Sequence, residues 1–181
     1  MKRPAVFFDR DGVLNDAVVV DGVPHSPATP AEFRLADGSG VALARLKEMG
    51  FALVVVTNQP EVRRGKISRE DVERMHAVLQ ASLPLDAIYV CYHDAADACD
   101  CRKPKPGLLL RAAAEHDLDL THGYLVGDRW RDVDAGRGAG CRVVQIDYHY
   151  RERPPAGEPD ARVASLAEAV AWIIDDRKRS G

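Results

Sequence analysis

Short apolar runs alternate with helical periodicities along this 181-residue chain. Residues 5–8 (AVFF) and 51–56 (FALVVV) are apolar throughout, the second running on to Thr57 and rich in β-branched side chains, and both predict buried strands. Residues 87–90 (AIYV) predict a third strand, 123–128 (GYLVGD) a fourth and 141–147 (CRVVQID) a fifth. Helical spacing fills the intervals. It runs over 41–49, with Gly50 as a C-terminal cap, and from a capping-box-like Ser68-Arg69-Glu70-Asp71 to Leu83. Pro106 opens a helix through about His116, a short helix separates the last two strands, and 165–168 cap a final helix ending near Ile174. Strands that are apolar at every position need cover on both faces. The pattern therefore predicts an α/β fold with a mainly parallel sheet between helical layers. Residues 151–160 (RERPPAGEPD) read as a surface loop, so 1–181 are expected to form a single domain.

Composition removes several functional classes. A net charge of -3 leaves no electrostatic footprint for nucleic acid or an anionic membrane, and 6% aromatic residues supply no stacking platform for single strands. The apolar runs fall far below the roughly 20 residues of a membrane span, and the N-terminal stretch is too short in apolar residues for a signal peptide. A cytoplasmic monomer without nucleic-acid or membrane partners is the expectation. In that compartment clustered cysteines are metal ligands or catalysts more often than disulfides.

Ligands of a parallel sheet bind beyond the carboxyl ends of its strands. Asp9 and Asp11 follow the first predicted strand and Thr57-Asn58-Gln59 end the second. A Cys/His cluster and Lys103 follow the third, and Asp128, Asp132 and Asp134 the fourth. Singly, each is an ordinary turn or cap. Together they place carboxylate, hydroxyl, lysine and carboxylate on one rim, which suits phosphoryl transfer through an aspartyl-phosphate. There Mg²⁺ offsets the repulsion between two anions, a lysine and a hydroxyl neutralise the phosphate, and a second carboxyl group moves protons.

Cys91-x-His93 and Cys99-x-Cys101 bring three thiolates and an imidazole within reach of one tetrahedral Zn²⁺. Four protein ligands close the site, so the expected zinc is structural, pinning 91–101 and aiming Arg102 and Lys103. Cys141 is expected in the core.

The segments FFDRDGVLN, VVVTNQ, CRKPKPG and VGDRWRDVDAG resemble, in order, the four motifs of the haloacid dehalogenase (HAD) superfamily of phosphohydrolases. That resemblance implies a Rossmann-like three-layer α/β/α fold, with Asp9 as nucleophile, Asp11 as acid/base, and Thr57 and Lys103 on the phosphoryl group. It implies Mg²⁺ on Asp9, the backbone carbonyl of Asp11, and Asp128, with Asp132 as ligand or supporting partner. The zinc loop is similar to that of two subgroups, the heptose 1,7-bisphosphate 7-phosphatases and the histidinol-phosphate phosphatases. FALVVVTNQ, RGKIS and DCRKPKPGLLL point to the first, and the five residues between His93 and Cys99 to the second.

Residues 15–38 are too few for a helical cap domain, so the resemblance implies a capless enzyme entered between loops 16–33, 60–66 and the zinc loop. A phosphorylated sugar is the expected substrate, with Asn58, Gln59, Arg64 and Arg102 as contacts. Arg63, Arg64 and Lys66 fit a second phosphate or an ordinary solvated charge run. A small polyol phosphate is the alternative substrate. A zinc-bearing nucleic-acid module and a phospho-accepting signalling domain are the readings from other classes. The acidic balance argues against the first, and Asp11, placed to turn an acyl-phosphate over, against the second.

Overall fold

The computed structural model describes residues 2–180. Six strands form one sheet, β1 (Arg3–Phe8), β4 (Ala52–Asn58), β5 (Ala87–Cys91), β6 (Leu118–Gly127), β7 (Arg142–Ile146) and β8 (Ala161–Val163), in the order β5-β4-β1-β6-β7-β8. Every neighbouring pair is parallel. The chain winds outward from β1 to β4 and β5, then crosses back to β6. The strand order thus reverses between β1 and β6, and Asp9 and Asp128 follow the two strands that flank this switch point.

Alternate residues of the apolar strands enter different layers. On one face Val6, Phe8, Leu53, Val55 and Val126 meet helices α1 (Ser39–Glu48), α3 (Arg69–Ser82) and α6 (Leu166–Ser180). On the other, Ala5, Phe7, Val54, Val56 and Leu125 meet α4 (Gly107–His116) and α5 (Trp130–Ala139), with Cys141 in the same cluster. This is a Rossmann-like α/β fold with helices on both faces of a parallel sheet. The Ser68 hydroxyl caps α3 by accepting from Asp71 N–H at 3.0 Å, and donates to the Asp71 carboxylate instead of leaving it to bond the Ser68 backbone.

Several elements differ from the sequence expectation. β6 begins at Leu118, before the expected residue 123, and β8 adds a sixth strand where five were expected. The 16–33 loop contains a hairpin, β2 (Val18–Val20) and β3 (Val23–His25), whose β2 valines are exposed and gave no buried-strand signal. Pro60 at the first helical position turns 60–63 into a one-turn helix, α2 (Pro60–Arg63). α6 runs to Ser180, beyond Ile174, because Asp176 in its polar end is buried and accepts from Tyr124 Oη at 2.8 Å. No helix among the described residues is long and apolar enough to cross a membrane.

Candidate active site and zinc loop

The rim at the carboxyl ends of β1, β4 and β6 carries the carboxylates that the sequence singled out. The first turn is stitched to the next strand, since Asp9 N–H donates to Val126 C=O at 2.9 Å. Lys103, almost fully buried, places Nζ 2.9 Å from Asp9 Oδ1 and 2.6 Å from Asp132 Oδ1. Asp9, Asp128 and Asp132 offer carboxylate oxygens that all lie within 4.8 Å of one another. Two glycines permit this crowding: a Cβ on Gly12, whose φ is +83°, would stand 2.0 Å from Asp128 Oδ2, and one on Gly127 2.2 Å from Asp132 Cβ.

Asp128 is buried, and among the described residues neither of its oxygens has a hydrogen-bond partner within normal distance. The Tyr150 hydroxyl is nonetheless near enough that, after burial, the Asp128 carboxyl group helps raise the tyrosine's pKa. Burial, then the charges of Asp132 and Asp9, hold the Asp128 carboxyl well above the usual range. Burial also pushes Asp9 up to about 6, against the pull of Lys103. Orphaned oxygens beside a second carboxylate are the donor set of a small hard cation, and Mg²⁺ fits it. Asp132 is already engaged on both sides, by Lys103 on Oδ1 and by Arg129 N–H on Oδ2 at 3.1 Å. It therefore anchors the lysine and the start of α5.

Asp11 contributes no carboxylate oxygen to that group. Oδ1 accepts from Asn15 at 3.0 Å, Oδ2 from Ser26 and Gln59 at 2.8 Å each, and Arg10 reaches both oxygens. Burial opposes the charge, but Arg10 and these donors outweigh it and hold the carboxyl below the usual range. Asn15 and Ser26 were not singled out in the sequence, although Asn15 ends the DRDGVLN segment.

Thr57 lies at the end of β4 with its hydroxyl accepting from Gln59 Nε2 at 3.0 Å. Gln59 is buried and faces Asp11 and Thr57, and it does not line the cavity. Asn58 does line it, but its amide is committed to the backbone of Lys103. It donates to Lys103 C=O at 3.0 Å and accepts from Lys103 N–H at 3.1 Å. Both side chains are thus held by the chain's own groups, where contacts to substrate were expected.

A cavity of ≈ 400 Å³ opens over Asp9, Asp11, Lys103 and Asp132. Its walls come from β3 and residues 26–28, from α2 and its flank, and from Arg102, Arg129 and Arg131. A larger, more open depression of ≈ 870 Å³ lies at the opposite end of the sheet, against Pro4 and Leu118, and holds none of these carboxylates. Most cations on the wall are paired. Arg64 lies 2.5 Å from Glu61 and 2.7 Å from Asp94, Lys66 lies 3.0 Å from Glu61, and Arg129 is paired with Glu152. Arg63 lies outside the cavity beside Asp97. Among the described residues, Arg102 and Arg131 are the arginines of the wall with no acidic partner. Arg102 donates to His93 C=O at 3.0 Å, and the Arg131 guanidinium lies 4.9 Å from the Trp130 ring centre. Arg131 escaped the sequence reading because it looks like one more charge on a helix.

The zinc loop closes the side of the site next to β5. Sγ–Sγ separations are 3.7 Å for Cys91–Cys99, 3.2 Å for Cys91–Cys101 and 3.4 Å for Cys99–Cys101. His93 Nδ1 stands 3.7 Å from Cys91 Sγ and 3.3 Å from Cys101 Sγ. A tetrahedral zinc with bonds of about 2.3 Å spaces its sulfurs about 3.8 Å apart, so the four side chains could hold one structural zinc ion with small outward adjustments.

A parallel switch-point sheet with this rim of aspartates and a buried lysine defines a hydrolase of the HAD type. A HAD-hydrolase-like family model matches residues 100–169. D-glycero-D-manno-heptose-1,7-bisphosphate 7-phosphatase of Thermosynechococcus vestitus is 35% identical, with 96% of each chain covered. D-glycero-beta-D-manno-heptose-1,7-bisphosphate 7-phosphatase of Yersinia pestis is 39% identical over 95% of this chain and 90% of its own. The crystal structure of D,D-heptose 1,7-bisphosphate phosphatase from B. bronchiseptica, complexed with magnesium and phosphate, superposes with a TM-score of 0.78. It is 29% identical and covers 96% of this chain and 99% of that one. The chain belongs to the heptose-1,7-bisphosphate 7-phosphatase family of HAD-like phosphoric monoester hydrolases.

Proposed function

We propose that this chain is a cytoplasmic, monomeric, single-domain phosphatase that removes the 7-phosphate of D-glycero-D-manno-heptose 1,7-bisphosphate. The observation that carries this reading is the division of charge in one cavity. Lys103 and Asp9 pair at its floor, while Arg102 and Arg131 stand unpaired on its wall. A phosphate held at Asp9 thus leaves cationic contacts for the second phosphate of the same sugar. The names of the relatives support the same substrate.

In the proposed reaction an Asp9 oxygen bonds to phosphorus as the bond from phosphorus to the sugar oxygen breaks. Protonated Asp11 gives its proton to the departing alkoxide. Water then attacks the aspartyl-phosphate while Asp11 takes up its proton, which frees Asp9 and releases inorganic phosphate. Lys103 and the Thr57 hydroxyl bind the phosphoryl oxygens, and Lys103 is placed for this by its bonds to Asp9 and Asp132. Asp9, Asp128 and the backbone carbonyl of Asp11 would hold Mg²⁺, which supplies charge neutralisation between carboxylate and phosphate. The donors around Asp11 favour its carboxylate, which suits the second step. A bound phosphate dianion pushes the same group toward protonation, which suits the first.

The second reading, histidinol phosphate, rests on the short interval between His93 and Cys99. Kinetics on the two substrates side by side discriminate. The expected result is a kcat/KM at least roughly tenfold higher on the bisphosphate, as loss of one charged contact alone costs about that much. A preference for histidinol phosphate would replace the proposal.

A further inference from the structure

We infer that Arg10 and His76 are positioning residues for Asp11: His76 holds Arg10, and Arg10 sets the direction in which the Asp11 carboxyl group points. This rests on the reading of Asp11 as the acid/base. The side chain of Arg10 is fully buried. Its Nε and Nη2 donate to Asp11 Oδ1 at 3.1 and 2.9 Å, and Nη2 reaches Oδ2 at 3.0 Å. The remaining nitrogen, Nη1, stands 3.3 Å from Nε2 of His76, which comes from α3 and is also buried. Phe33 lies against the guanidinium, 5.7 Å from its ring centre.

The chemistry of the pair decides the state of the histidine. A guanidinium has only donors, so Nε2 must accept and the proton of the neutral ring must sit on Nδ1. That nitrogen is 3.5 Å from Glu73 Oε2. Glu73 in turn accepts from the hydroxyl of Tyr92, the residue between zinc ligands Cys91 and His93. One chain of contacts thus runs from the zinc loop through α3 to Asp11. Burial, followed by the charge of Arg10, pushes His76 down to about 4, in keeping with a neutral ring. Without an acceptor at position 76, Nη1 would be a buried unpaired donor, and the guanidinium would turn to find another partner. The fork on Asp11 turns with it.

The test compares His76→Leu, which removes the acceptor, with His76→Gln, whose side-chain oxygen restores one. Single-turnover release of the alcohol isolates the first half-reaction. A sugar phosphate, whose alkoxide needs a proton, is set against p-nitrophenyl phosphate, whose phenolate leaves without one. His76→Leu is expected to slow alcohol release from the sugar phosphate roughly tenfold or more, with a much smaller loss on the nitrophenyl ester. His76→Gln should recover most of it, and thermal melts identify any variant that fails to fold. Glu73→Gln, changed outside the core, should give a weaker version of the same selective loss. Equal losses on both substrates, or a His76→Leu protein that works like the wild type, would overturn the inference. Asp11→Asn measured alongside separates the two claims. If it shows the selective loss and His76→Leu does not, only the positioning role falls. If Asp11→Asn itself shows none, the acid/base reading falls and takes the positioning role with it.

Discussion

Lys103 shows how a single side chain is placed by pieces from distant parts of the chain. Its ammonium lies between Asp9 and Asp132, while its backbone is gripped by the amide of Asn58. Burial alone would strip the charge from such a lysine, but the two carboxylates outweigh it and keep the pKa raised. The Asn58 clamp leads to a prediction. Asn58→Ala removes both bonds and should lower stability by about 1–3 kcal/mol, with kcat/KM falling roughly tenfold as the lysine loses its aim. Asn58→Asp keeps the acceptor for Lys103 N–H, so it should lose less activity at neutral pH. Denaturant melts and initial rates on the two variants check this, and wild-type rates in Asn58→Ala would show that the clamp does not aim the lysine. In the sequence Lys103 was legible because it follows a strand inside a run of turn residues. Asn58 was legible as a polar strand end, but not as a brace, since its partner lies 45 positions away.

The zinc loop shows what a segment gains from a covalent anchor in place of a core. Residues 92–106 hold one 3₁₀ turn and little other regular structure. They are tied by the four candidate metal ligands and, between His93 and Cys99, by Arg64, which reaches from the C-terminal end of α2 to Asp94 at 2.7 Å. We predict that purified protein carries about one zinc per chain, and that Cys99→Ser loses it. The loosened loop should raise KM severalfold more than it lowers kcat, since Arg102 and Lys103 follow the last ligand directly. Metal analysis with steady-state kinetics checks this, and a zinc-free wild type would end the structural role. The ligand spacing was readable from the sequence because four metal ligands lie within eleven residues. The hairpin β2–β3 was not, because its valines face solvent and its turn is met from far along the chain, by Arg151 N–H donating to Gly22 C=O at 2.9 Å.

Taken together, the acidic rim makes the protein's stability depend on pH and cation at once. Asp9 is raised from 3.8 to about 6 by burial, and burial with the charges of Asp132 and Asp9 raises Asp128 well above the ordinary value in the same sense. For raised carboxyl groups the folded chain holds protons that the unfolded chain has released. The stability that Asp9 contributes is therefore full below pH 3.8 and is lost as pH climbs through about 6, and that of Asp128 is lost in the same direction as pH rises. A divalent cation needs the ionised forms, so its stabilising effect must grow over the same interval. At a hundredfold excess over its dissociation constant it should add about 2.7 kcal/mol. Melting curves with and without Mg²⁺ should diverge by roughly 5–10 °C at pH 7.5 and converge near pH 5. Asp128→Asn should abolish the divergence. A constant Mg²⁺ shift across this range would argue that the cation binds elsewhere.

The layered architecture, the alternation of the five buried strands with their helices and the polar strand ends were determined by the sequence alone, because period and burial are local properties of a run of side chains. The zinc ligands belong to the same class, since they lie close together in the chain. Which carboxylates share a cation, which cations on the cavity wall stay unpaired and which residue holds Arg10 were decided only when the sheet closed. Those contacts join positions tens of residues apart, as His76 and Arg10 do across 66, and a bond between two side chains leaves no periodic trace in either segment.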